Sequence, residues 1–197
     1  MKVLQINPVC GIGSTGRIAT DIHKLLLEQG HESVIAYGRG EAINCDNTIK
    51  IGNNIDFYNH ALKTRLLDKH GFGSKKATKN FIDNIINYNP DIIHLHNIHG
   101  YYLNIEILFN FLKEFSKPVV WTLHDCWAFT GHCAYFDYAN CYKWETHCQK
   151  CPERKSYPKS IFIDNSYNNY EKKKKLFTGL DKLTLVTPSE WLAKLVK

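Results

Sequence analysis

The sequence predicts an α/β chain built on a doubly wound parallel sheet, and three observations carry that prediction. Short apolar runs suited to buried strands recur along the chain, from KVLQIN at 2–7 to LTLVTPS at 183–189. Stretches with helical apolar spacing separate them. A glycine-rich turn, Gly11-Ile12-Gly13-Ser14-Thr15-Gly16, stands between the first strand and the first helix.

After KVLQIN, apolar residues at Ile18, Ile22, Leu25 and Leu26 mark the inward face of a helix that begins near Arg17 and that Gly30 ends. SVIAYG (33–38) is the second strand. Residues 55–70 read as a basic helix and GFGSKK (71–76) as a loop, after which Phe81, Ile82, Ile85 and Ile86 mark a helix closed by Asn89-Pro90. DIIHLHN (91–97) is the next strand, and Asn104 caps a helix that turns Ile107, Leu108, Phe111, Leu112 and Phe115 inward. PVVWTLHD (118–125) is another strand, followed by an irregular Cys-rich insertion at about 126–158. A helix over 165–178, the strand LTLVTPS and a new helix from Glu190 complete the pattern.

With 197 residues and 44% hydrophobic content the chain forms one good-sized domain with its own core. The opening MKVLQINPVCGIGSTG is broken by Asn7, Pro8 and glycines and so is not a secretory signal, and no stretch reaches the ~18 apolar residues of a membrane span. A cytoplasmic protein is expected. The formal net charge is +6, with basic residues concentrated in Lys63–Lys79 and Lys172–Lys175. A solvated helix face, an anionic membrane surface, a diphosphate substrate and nucleic acid all match that distribution.

Gly11, Gly13 and Gly16 satisfy G-x-G-x-x-G between a strand and a helix, where backbone N–H groups can meet a pyrophosphate. Asn7-Pro8-Val9-Cys10 separates strand from glycines, and the second strand ends in Tyr37-Gly38-Arg39 without the carboxylate a dinucleotide ribose needs. Three readings stand: a loop giving N–H groups to a phosphate or sugar, an NADP site using Arg39, and a loop with no ligand.

Four segments together resemble glycosyltransferase family 4, closest to members that build bacterial surface polysaccharides. They are GIGSTGRIATDIHKLLLEQGHES, DIIHLHNIHGYYLN (91–104), PVVWTLHDCWAFTGHC (118–133) and TLVTPSEWLAKLV (184–196), in that order. The resemblance implies the GT-B architecture of two Rossmann-like domains facing across a cleft. This chain would be the N-terminal, acceptor-side domain (1–197), and TPSEWLAKLV would match its last strand and helix. The donor-binding domain, with an E-x7-E motif, would lie outside the chain. The implied reaction moves a hexose-type sugar from a nucleotide-sugar donor to a saccharide or lipid-linked acceptor.

Carried onto these residues, the resemblance brings Gly11, Gly13, Gly16 and Arg17 toward the donor phosphate. It sets His124 at the reaction centre, at the carboxyl end of a parallel strand, where an imidazole can bond a sugar hydroxyl or a phosphate oxygen. Asp125 would orient that imidazole or meet an acceptor hydroxyl. His96 and Asn97 would line the acceptor cleft. His94 and His96 share one strand face and His99 lies beyond it, an arrangement unsuited to a three-histidine metal site. No protein nucleophile is assigned.

Cys133, Cys141, Cys148 and Cys151 follow C-x7-C-x6-C-x2-C. In a reducing compartment such thiols suit a closed, structural tetrahedral zinc, and free thiols in an aromatic-rich loop are the alternative. Two rival functions fit parts of the sequence: a zinc-stabilised nucleic-acid module, drawn from charge and cysteines, and an NADP-binding oxidoreductase domain. No nucleic-acid reader motif appears, so nucleic acid is not an expected partner. Peripheral contact with anionic membrane is.

Overall fold

The computed structural model describes residues 1–196. Strand β1 (Lys2–Asn7) lies inside the sheet, paired in parallel with β2 (Glu32–Tyr37) on one side and β4 (Ile92–Leu95) on the other. β3 (Thr48–Lys50) pairs beyond β2, and β5 (Val119–Thr122) then β6 (Leu183–Val186) extend the far side. The order β3-β2-β1-β4-β5-β6 is the doubly wound arrangement expected from the sequence. The chain winds outward to β3 and then returns beside β1 to make β4. The topological switch point therefore falls between the carboxyl ends of β1 and β4.

Helices α1 (Gly13–Glu28), α2 (Asn54–Leu67), α3 (Lys75–Tyr88), α4 (Ile105–Glu114), α5 (Ser166–Phe177) and α6 (Glu190–Leu195) connect the strands. One face of the sheet builds the main core: Leu4, Ile6, Ile93, Leu95, Val119 and Trp121 pack with Phe81 and Ile85 of α3 and Leu108, Phe109 and Leu112 of α4. Each such side chain gains ~1.5–3 kcal/mol from leaving water. The opposite face is polar at its centre. Gln5 of β1 points there and donates through Nε2 to the Ala19 carbonyl of α1 at 3.0 Å.

Several boundaries hold as expected and others move. Asn104 caps α4 by accepting the Ile107 N–H at 3.0 Å, and Gly30, at φ +75°, closes α1 while His31 N–H reaches the Leu26 carbonyl. The inward face of α1 differs: Gly16, Ala19, Thr20 and His23 are buried, whereas Ile18 and Leu25 are exposed. Small residues allow close approach to the strands, and His23 Nδ1 lies 2.8 Å from Ser33 Oγ, so the helix docks through backbone proximity and hydrogen bonds. Helix α4 is centred on Leu108 and Leu112 but adds Ile105 and Phe109, and Ile86 of α3 faces solvent. The edge strand β3 has three residues and no apolar run to announce it. β4 and β5 end at Leu95 and Thr122, leaving His96 and His124 just past the ladder.

The Cys-rich insertion forms two single 3₁₀ turns, Asp137–Ala139 and Lys143–Glu145, and is tied to the domain by buried polar links. His132 Nδ1 meets Asp68 Oδ1, and Asp68 Oδ2 accepts Asn165 N–H at 2.8 Å. Lys173 donates to the Trp127 carbonyl at 2.6 Å and stands 3.9 Å over the Trp127 ring centre.

Candidate functional site

The chain leaves β1 through Asn7, whose Nδ2 donates to the Val9 carbonyl at 2.7 Å and to Thr15 Oγ1 at 3.3 Å. That side chain folds the Pro8–Ile12 turn back onto the start of α1. The three glycines have different positions in it. Gly11, at φ +75°, packs so tightly that an added Cβ would lie 2.1 Å from the Ile43 carbonyl oxygen. Gly16 lies inside the first turns of α1, where a Cβ would meet Val9 Cγ2 at 3.1 Å. Gly13, at φ +65°, is exposed with open space around it. The expected loop up to Gly16 is thus loop only at Gly11 and Ile12 and helix from Gly13 on, and of the three glycines only Gly13 has open space about it. Arg17 is exposed on the first turns of α1.

Across the switch point, His96, Asn97, His124 and Asp125 line one crevice together with His99, Trp121 and Trp127. The residues after β4 touch those after β1, since an added Cβ on Gly100 would lie 3.1 Å from Pro8 Cβ. This is the place where open α/β sheets bind ligands. His94 and His96 rise from one face of β4 with ring centres 4.2 Å apart, and His94 Nε2 bonds Thr122 Oγ1 at 2.8 Å. His96 is buried; its Nε2 lies 3.1 Å from Gln5 Oε1 and its Nδ1 lies 3.2 Å from His124 Nε2. Burial, then the neighbouring imidazoles His94 and His124, push the His96 pKa down to about 2. Burial also lowers that of His124, against the opposing pull of Asp125. Asn97 is half-buried, and its carbonyl accepts the Tyr102 hydroxyl at 2.7 Å.

Asp125 does not orient His124. Its Oδ2 accepts from His99 Nε2 at 2.8 Å and its Oδ1 from Trp127 N–H at 2.9 Å. Burial alone would raise the Asp125 pKa, but His99 and these hydrogen bonds hold it below the ordinary value. His99 Nδ1 in turn meets the Tyr157 hydroxyl at 2.9 Å. Gln5, His99 and Tyr157 were not singled out as site residues in the sequence. His99 sits in the conspicuous His-Leu-His-Asn-Ile-His run, whereas nothing marks Gln5 inside its strand or Tyr157 in its loop.

Cys133, Cys141, Cys148 and Cys151 line one pocket with His132, Phe136 and Trp144, and all seven cysteines are free thiols. Among the described residues, however, no three His, Cys, Asp or Glu side chains stand as a metal-holding group. Also among the described residues, no helix is long and apolar enough to cross a membrane.

A family model for Glycosyltransferase Family 4 matches residues 15–173. A curated protein of Escherichia coli (strain K12), named "Putative colanic acid biosynthesis glycosyl transferase WcaC", is 31% identical over 207 residues. The alignment covers 98% of this chain and 50% of that protein, so the chain spans about half the length of the relative it matches. Neither match supports the NADP or nucleic-acid reading. A doubly wound sheet with its crevice at the switch point, and a family match over most of its length, agree: the chain belongs to glycosyltransferase family 4.

Proposed function

We propose that this chain is the acceptor-side domain of a two-domain enzyme that transfers a sugar from a nucleotide-sugar donor to a saccharide or lipid-linked acceptor in polysaccharide biosynthesis. The observation that carries the reading is the meeting of His124, Asp125, His96 and Asn97 in one crevice at the switch point, beside the turn that bears Gly13. His124 contacts the transferred sugar at the reacting centre. Gly13 leaves room for a phosphate or sugar to approach its backbone, and Arg17 supplies positive charge nearby. Asn97 and the Asp125–His99–Tyr157 chain offer the polar wall for the acceptor, while His96, buried with both ring nitrogens bonded to Gln5 and His124, backs it from behind. A second, nucleotide-binding domain closes the cleft and orients the donor.

The experiment uses the complete enzyme and a panel of nucleotide-sugars. Sugar transfer is expected, with His124→Ala lowering kcat by ~10²–10³-fold while the protein stays folded. An unchanged kcat removes His124 from the reaction centre. Robust transfer by this domain alone overturns the two-domain reading.

A lipid-linked acceptor calls for contact with a membrane surface. Helix α2 exposes Ile55, Tyr58, Leu62 and Leu66 at i, i+3, i+7 and i+11, one continuous apolar stripe. Arg65, Lys75, Lys76 and Lys79 are exposed nearby in sequence, with Lys63 and Lys69 half-buried. Such a face suits peripheral binding to an anionic leaflet, each surface-near cation adding ~1 kcal/mol. Pelleting with vesicles should rise with anionic lipid and fall with salt; equal pelleting on neutral vesicles counts against it.

The cysteine pocket is a candidate structural zinc site, supported by four thiols of suitable chemistry around one small space. Closing on the metal would draw the thiolates together and order the insertion without touching the crevice. Elemental analysis of protein purified without chelator should give one zinc per chain. No zinc, with all four thiols freely reactive in the native protein, eliminates the site.

A further inference from the structure

We infer that Gln5 and His96 are positioning residues that fix the proton of His124 on Nε2, so that Nδ1 is the nitrogen presented to the ligand. Ala19 O can only accept, so the Gln5 atom facing it at 3.0 Å must be the amide NH₂. That orientation turns Gln5 Oε1, an acceptor only, toward His96 Nε2 at 3.1 Å. His96 Nε2 therefore carries a hydrogen. Gln5 and His96 are 0% and 1% exposed, and a buried imidazole without a carboxylate partner stays neutral. Neutral His96 with its hydrogen on Nε2 has a bare lone pair on Nδ1. The group 3.2 Å from that lone pair is His124 Nε2, which must be the donor.

The chain of bonds thus runs one way, from His124 Nε2–H to His96, from His96 Nε2–H to Gln5, and from the Gln5 amide to α1. His124 Nδ1 has no hydrogen-bond partner among the described residues and is not among the buried unpaired atoms, so it is open to the crevice. Besides His96, the titratable groups acting on His124 are Asp125, His99 and His94. Neutral His124 then offers an acceptor at Nδ1, suited to a sugar hydroxyl; a phosphate oxygen would require Nδ1 to be protonated. That consequence rests on the proposed function, whereas the proton's position does not.

The test is nitrogen-15 NMR of the histidine rings in this chain, which needs no substrate and no sugar transfer. In the wild-type protein His124 should be protonated on Nε2, with a scalar coupling across the hydrogen bond to His96 Nδ1. In Gln5→Leu, His96 Nε2 loses its acceptor, and its hydrogen is satisfied only by moving to Nδ1 and donating to His124. His124 should then reverse to the Nδ1-protonated form. A wild-type His124 protonated on Nδ1, or no coupling between the two rings, overturns the inference. So does a folded Gln5→Leu variant that keeps the wild-type tautomer. Should Gln5→Leu not fold, the wild-type coupling decides alone. Failure here leaves the glycosyltransferase reading standing, and absence of sugar transfer leaves the tautomer result standing.

Discussion

Asp125 reaches past its sequence neighbour His124 and accepts the Nε2 hydrogen of His99 at 2.8 Å. Because an ionised carboxylate only accepts, this bond puts a hydrogen on His99 Nε2, while Nδ1 meets the Tyr157 hydroxyl at 2.9 Å. Two adjacent residues at the end of β5 are therefore wired to two different histidines. His124 connects to the sheet interior through His96, and Asp125 connects to the 154–165 loop through His99.

Removal of the Asp125 carboxylate tests that wiring. Asp125→Ala leaves the His99 ring and the Trp127 N–H without an acceptor in a buried place, so it should cost about 3 kcal/mol in urea denaturation. Asp125→Asn can still accept from Trp127 and donate to a reversed His99 ring, and should cost about 1 kcal/mol. Equal and negligible losses for both variants would show that the carboxylate holds nothing in place.

Acid lability follows from the buried imidazoles. Burial lowers His60 to about 3, His94 to about 4 and His96 to about 2, each from an ordinary value of 6.5. Unfolding lets these rings bind protons below pH 6.5 that the folded state refuses, so stability is full above that pH and falls as pH drops toward the folded values. The loss should therefore build steadily between about pH 6 and 4. Urea midpoints that do not change between pH 7.5 and 5 would contradict neutral burial of these rings.

His60 has a further duty that its titration exposes. Its Nε2 accepts from both Gly71 N–H at 3.1 Å and Gly73 N–H at 3.2 Å, while Nδ1 meets Ser74 Oγ at 2.9 Å. The turn between α2 and α3 is thus built around one ring, and a Cβ on Gly73 would lie 2.3 Å from His60 Cγ. His60→Leu fills similar space but leaves two buried amides unpaired, a loss of about 3 kcal/mol. Hydrogen exchange should quicken first at Gly71 and Gly73; uniform exchange across the domain would place the damage elsewhere.

All the strands but β3, and the doubly wound class of the sheet, were legible because buried parallel strands are nearly continuous apolar runs, and KVLQIN or PVVWTLHD can be little else. The position of His124 and His96 followed from those runs, since both stand near the carboxyl ends of them. What could not be read was pairing across distance. Gln5 and His96 are far apart in sequence, as are Asp68 and His132, and no local pattern brings them together. The inward face of α1 was misread for a related reason: periodicity records apolar residues, but this helix docks through Gly16 and Ala19 and through the His23–Ser33 bond. The cysteine spacing showed that four thiols could converge, and they do line one pocket, but spacing alone does not set the geometry of a cage.

The glycines after β1 give the last prediction, because structure separates two residues that the motif treats alike. Gly11 and Gly13 both have positive φ, which costs a non-glycine residue ~1–2 kcal/mol. At Gly11 a Cβ would also fall 2.1 Å from the Ile43 carbonyl oxygen, a backbone atom that cannot rotate away. Ile43 N–H is itself bonded to the Cys10 carbonyl at 3.3 Å, so the two segments would have to part. Gly11→Ala should therefore lose well over the conformational cost, ~3 kcal/mol or more, and be damaged as a folded protein. Gly13→Ala meets nothing within 4 Å and should lose only ~1 kcal/mol, yet it places a methyl where a phosphate or sugar would approach the backbone. In the complete enzyme Gly13→Ala should raise KM for the donor severalfold at near-normal stability. Unchanged donor kinetics in a folded Gly13→Ala enzyme would mean that the turn only shapes the start of α1, with the ligand held elsewhere in the crevice.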